Sequence, residues 1–87
     1  MEDSRQALTQ RLRRVEGQLR GVQRMIGEGQ ECEAVAHQLA AARRALDRAF
    51  FEMMACAVSE EVGRHVAMNE DLETGVREMS RILSKYA

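Results

Sequence analysis

The sequence predicts an all-α fold, a protomer of three helices, on three observations. The 87 residues contain no proline, no tryptophan, one tyrosine and two phenylalanines, so Ala, Leu, Glu, Arg, Gln and Met set a local preference for helix. Apolar residues recur in steps of three and four along most of the chain, which keeps them on one helical face. No segment alternates apolar and polar residues as a half-buried strand does.

The first helix is predicted from the opening residues to about Ile26. Asp3 or Ser4 supplies an N-cap, with Gln6 in a capping-box relation to Asp3. Leu8, Leu12, Val15, Leu19, Val22 and Ile26 then follow the heptad spacing of a helix that packs along another helix. Gly27-Glu28-Gly29 provides the C-cap and turn. The second helix starts near Glu31 and runs past Val58, because Cys32, Val35, Leu39, Ala42, Leu46, Ala49, Met53 and Cys56 keep the same spacing. Gly63 and the stretch from Ala67 to Asn69 mark its end. Asn69 followed by Glu70, Asp71 and Glu73 reads as a cap with acids in the first turn. A short third helix carries Leu72, Val76, Met79 and Leu83 on one face. Residues 1–87 therefore read as a single helical domain.

A chain this short buries a small share of its surface, and oligomerisation is the usual remedy. The net charge of −1 conceals an asymmetry. From Arg5 to Arg48 there are nine arginines against Glu16, Glu28, Glu31, Glu33 and Asp47; from Phe51 onward seven acids face Arg64, Arg77, Arg81 and Lys85. A polyanion should therefore meet the first two thirds. No apolar stretch approaches the roughly 20 residues that span a bilayer, and no signal-type leader is evident, so the expected location is cytoplasmic, with no membrane partner.

The two cysteines, Cys32 and Cys56, lie at opposite ends of one stripe. On a continuous helix they stand roughly 36 Å apart and cannot meet within a chain. If two copies pack antiparallel with a crossing near Ala42 to Leu46, Cys32 of one lands beside Cys56 of the other. Glu31 and Glu33 push the Cys32 pKa upward while the helix N-terminus pulls it down. His37 and His65 form no HxxxH or CxxC pattern, which argues against a zinc site within one chain, and solvent-facing positions are expected for both. No Ser/His/Asp set, phosphate-binding loop or convergent acid pair appears, so an enzyme is not expected. Arg43, Arg44 and Arg48 extend a basic face begun by Arg11, Arg13, Arg14, Arg20 and Arg24, which suits phosphate contact. The competing reading is a solvated exterior in which Arg13 pairs with Glu16 and Arg24 with Glu28.

The block Arg11-Leu12-Arg13-Arg14-Val15-Glu16-Gly17-Gln18-Leu19-Arg20-Gly21-Val22-Gln23-Arg24-Met25-Ile26, then Cys32-x-x-Val35-x-x-Gln38-Leu39-x-Ala41-Ala42 and Ala45-Leu46-Asp47, closely resembles the CsoR family of copper-sensing repressors. Its relatives include the nickel/cobalt sensor RcnR, the formaldehyde sensor FrmR and the sulfur sensor CstR. The resemblance covers Arg11 to about Val62. It implies a transcriptional repressor whose first two helices form an antiparallel four-helix bundle with a second protomer, two such dimers making a tetramer. It also implies operator double-stranded DNA as the partner, bound through basic residues of those helices and released by an effector. The family's basic positions fall at Arg11 and Arg48; Arg13, Arg14, Arg20 and Arg44 are neighbouring candidates.

The resemblance also frames the effector site. Copper sensors place a cysteine where Cys32 stands, and a histidine and a second cysteine where this chain has Ala57 and Glu61. A carboxylate serves soft Cu(I) poorly. The sulfur sensors bridge two cysteines between subunits, the second at the position of Glu61, whereas here Cys56 lies five residues earlier, roughly 7 Å along the axis. A displaced Cys32–Cys56 dithiol switch responding to persulfide is the leading expectation. FrmR-like aldehyde sensing would keep Cys32 and Glu61 but lacks that family member's histidine and N-terminal proline. Cu(I), Zn(II) or another transition metal held between subunits by Cys32 and Cys56, with Glu61 as a further ligand, is the next reading. The alternative from another class is a helical-bundle interaction module with no DNA role.

Overall fold

The computed structural model describes residues 2–68 and 71–86. It contains three helices in chain order, α1 (Glu2–Gly27), α2 (Cys32–Ala67) and α3 (Leu72–Tyr86).

Helix α1 begins at Glu2, ahead of Asp3 and Ser4. These residues therefore occupy the first turn and are not its cap, a place where an acid still complements the exposed backbone N–H groups. At the other end, the N–H of Gln30 donates to the Met25 carbonyl at 3.0 Å and that of Gly29 to Ile26 at 3.1 Å. This is a Schellman closure. Its left-handed residue is Gly29, with φ of 73°, a conformation that costs glycine little because it has no Cβ.

Helix α2 opens with the N–H of Val35 donating to the Glu31 carbonyl at 3.0 Å, so Glu31 is its N-cap residue. Glu33 in the first turn and Arg64 and His65 in the last oppose the partial charges of the helix ends. The helix passes through Gly63 without a break. A Cβ at Gly63 would meet nothing within 4 Å, so Gly63→Ala is expected to stabilise the protein by about 0.5–1 kcal/mol, read as a higher urea midpoint at unchanged slope.

The expected cap at Asn69 lies outside the described residues, as does Glu70. The observed cap of α3 is Asp71, whose Oδ1 accepts the Thr74 backbone N–H at 2.8 Å. That bond first, then one from the Thr74 side chain, holds the Asp71 carboxyl below its ordinary 3.8. A depressed native pKa stabilises the fold fully above the ordinary value, and the contribution is lost as pH falls through the lower native one. Acidification below 3.8 should therefore fray the start of α3. Asp71→Ala should reproduce that fraying at neutral pH, seen as faster hydrogen exchange at Thr74. Ion pairs Arg77–Glu73 (3.1 Å) and Arg81–Glu78 (2.9 Å) brace its exposed side.

The chain forms two compact units, one reaching to Phe51 and one starting at Glu52. In the first, the heptad stripes divide into two rows with different fates. Leu8, Val15 and Val22, seven residues apart, are buried, whereas Leu12, Leu19 and Ile26 are 38 to 61% exposed. On α2, Ala42 and Ala49 are buried and Val35 is half-buried, whereas Cys32, Leu39 and Leu46 are exposed. One helix pair covers one row of each helix and leaves the other bare. No large side chain is fully buried among the described residues.

The second unit continues the two rows with exposed Met53 and half-buried Cys56. Its buried residues are Glu61 and Gly75. On α3, Met79 and Ile82 are half-buried, but Leu72, Val76 and Leu83 remain exposed.

Candidate nucleic-acid interface and effector site

All six arginines expected to meet DNA lie in the first unit. Arg13, Arg14, Arg20, Arg44 and Arg48 are exposed and Arg11 is half-buried. The local pairings that would neutralise this face, Arg13 with Glu16 and Arg24 with Glu28, are not formed among the described residues. Gly17 contributes to the shape of the face: the Arg20 Nη2 lies 3.9 Å from where a Gly17 Cβ would be, so the guanidinium lies along the bare helix surface. Toward the N-terminus, Arg5, Gln6, Thr9, Gln10 and Arg13 line an open polar hollow. Guanidinium groups presented this way can grip phosphate oxygens bidentately.

Both thiols are free. Cys32 is the first residue of α2 and exposed, in the uncovered row with Leu39 and Leu46. Cys56 belongs to the second unit, in register with the more buried row, and its Sγ makes a long contact of 3.8 Å to Glu60 Oε1. The single stripe expected to hold both cysteines thus resolves into two adjacent rows. A separation of three heptads and three residues sets Cys56 a step around the helix from Cys32.

The densest polar constellation lies one turn beyond, and pattern reading of the sequence missed half of it. Glu61 is buried at 6% exposure, the one buried charged residue among those described. Its Oε2 accepts a hydrogen bond from Arg64 Nη1 at 2.6 Å, and its Oε1 lies 2.9 Å from His65 Nε2. The His65 side chain is only 11% exposed, which corrects its expected solvent-facing position; His37 is exposed as expected. Gly75 of α3 explains the difference, because a Cβ there would already touch the His65 Cβ and Cγ at 3.9 Å. The spacing Glu61-x-x-x-His65 opposite a small residue was the available signal. No group of three or more His, Cys, Asp or Glu side chains within one chain is placed to hold a metal among the described residues.

Residues 4–85 match the family model described as metal-sensitive transcriptional repressor. The chain belongs to this family of metal-sensitive transcriptional repressors. Among solved structures, the nickel-responsive transcriptional regulator InrS is similar to it, 34% identical, with a TM-score of 0.79 over 94% of this chain and 91% of that one. An uncharacterized protein encoded in the bioA 5' region of Serratia marcescens is 29% identical over 79 residues, 91% of this chain and 87% of its own. The resemblance to CsoR-like repressors, the all-α fold and the absence of an enzymatic role agree with these findings. Membership implies DNA binding and is compatible with a transition-metal effector. No described helix is long and apolar enough to cross a membrane.

Proposed function

We propose that this metal-sensitive repressor acts in the cytoplasm, binds operator DNA as an antiparallel assembly of two or four copies, and leaves it when an effector acts at Cys32. The observation that carries this reading is the division of surfaces on the first unit: arginines project outward while Leu12, Leu19, Leu39 and Leu46 lie bare. Covering one such leucine contributes about 1.5–3 kcal/mol, which a second copy of the same rows supplies symmetrically. In that assembly Arg11, Arg13, Arg14, Arg20, Arg44 and Arg48 from each copy form a continuous phosphate-binding surface.

For the effector, the leading reading is a dithiol switch. Sulfane sulfur oxidises Cys32 of one copy to a persulfide; the Cys56 thiolate of the other attacks its inner sulfur, forming a disulfide and expelling hydrosulfide. A second reading, metal ligation at the same Cys32, is favoured by the family and by the Glu61–His65 pair. Either needs only about 1–3 kcal/mol of coupling to move the operator equilibrium usefully.

Selection from a random duplex pool tests the DNA role. The repressor reading predicts enrichment of one sequence bound at least about 10³-fold more tightly than random duplex. An interaction module with no DNA role would enrich nothing. Mass spectrometry after polysulfide, Cu(I) or formaldehyde then separates the chemistries. Joined chains that vanish in Cys32→Ser and in Cys56→Ser support the dithiol switch, and chains that stay separate under polysulfide exclude it.

A further inference from the structure

The buried polar group at the end of α2 has a use that the dithiol switch leaves open. Glu61 and His65 present an oxygen and a nitrogen to one point, 2.9 Å apart, on side chains that are 8% and 11% exposed. Carboxylate oxygen and imidazole nitrogen are both ordinary zinc ligands, each bonding at about 2.0–2.2 Å. Two such donors 2.9 Å apart subtend roughly 90° at a shared cation, and opening to about 3.4 Å gives the tetrahedral angle. The pair is therefore spaced for one ion, needing a movement of about half an ångström.

We propose that Glu61 Oε1 and His65 Nε2 form half of a site for a borderline divalent transition-metal ion, zinc or nickel, completed by the thiolate of Cys32 from a second copy. This inference rests on the head-to-tail assembly proposed above. Within one chain no third ligand is in place among the described residues, so the site is complete only in the assembly. One sulfur, one nitrogen and one oxygen suit Zn(II) or Ni(II), whereas Cu(I) prefers a softer set. Relative to the copper-sensor pattern, the nitrogen absent at Ala57 is regained at His65, one helical turn beyond Glu61 and on the same face.

The surroundings are those of a ligand pair held in place. Arg64 occupies the other carboxylate oxygen at 2.6 Å and so leaves Oε1 as the free-facing one, a positioning role of the kind that outer partners play at metal sites. Gly75 leaves room for the imidazole against α3, with its missing Cβ 3.9 Å from the ring carbon. Binding requires neutral imidazole and thiolate, so the protons on Nε2 and on the Cys32 sulfur leave to solvent as the ion enters, with no change of oxidation state.

The test uses the full-length protein and Zn(II) itself, titrated in competition with a chromophoric chelator. His65→Gln and Cys32→Ser should each weaken Zn(II) binding by at least about 100-fold, the upper end of what losing a supporting partner costs, while His37→Gln binds as wild type. Co(II) substitution should give a thiolate charge-transfer band that Cys32→Ser abolishes and ligand-field bands that His65→Gln shifts. Wild-type Zn(II) affinity in a His65→Gln protein of unchanged helix content would overturn the proposal. Should that variant lose helix content, the ¹⁵N resonances of the wild-type imidazoles decide: Zn(II) moves those of His65, and resonances left in place overturn it. Operator selection by the metal-free protein is read separately. Its failure would overturn the repressor reading and leave the zinc result standing.

Discussion

Leu46→Glu should separate the assembly and abolish operator binding while leaving α2 helical. Leu46 is 48% exposed in the protomer, and Glu is a good helix former, so the single chain has little to lose. In a head-to-tail pair crossing between residues 42 and 46, however, each copy brings position 46 against the other. Two glutamates would then be buried near each other, and an unpaired buried carboxylate costs several kcal/mol. A total above about 4 kcal/mol raises the dimer dissociation constant more than 1,000-fold. Sedimentation should show the mass of one chain at micromolar concentration, and operator affinity should fall with it. A Leu46→Glu protein of unchanged mass and affinity would place the interface elsewhere.

Arg48→Ala should flatten the salt dependence of operator binding, with a companion loss in Arg11→Ala. Each phosphate contact contributes about 0.9 to the slope of log K against log salt concentration. Two copies on the duplex lose two such contacts per substitution, so the slope should become shallower by about 1.8. Arg77→Ala is the control: that arginine sits on α3, paired with Glu73 at 3.1 Å, and its removal should leave the slope unchanged. An unaltered slope in Arg48→Ala would remove α2 from the DNA interface.

The helices and their order were legible because each has a period and a stop that depend on local chemistry. The heptads from Leu8 to Ile26 and from Cys32 to Cys56 are helical throughout, and the turn at Gly29 follows from its left-handed backbone. The start of α1 was less so, since Asp3 and Ser4 suit a first turn as well as a cap. The split into covered and bare rows depends on what each helix meets, which periodicity alone does not encode: Leu8 and Leu12 carry the same side chain and differ only in their neighbours. His65 is the sharpest case. Its burial is decided by Gly75, ten residues away on another helix, and by a carboxylate one turn earlier that shares itself between two cations' worth of donors. The arginine face was recognisable from charge asymmetry. That it is not neutralised by Glu16 and Glu28 is a matter of side-chain geometry, which the structure supplies.

The head-to-tail pairing of α2 underlies the interface, the thiol encounter and the shared metal site. Electron–electron dipolar spectroscopy on a Cys56→Ser protein, spin-labelled at Cys32, measures it directly. With a crossing near residue 44, each Cys32 stands twelve residues from the centre on opposite sides, so the backbone separation across the pair should be about 36 Å. Parallel helices would bring the two labels to about the 10 Å spacing of packed helix axes, and a distance in that short range would contradict the account.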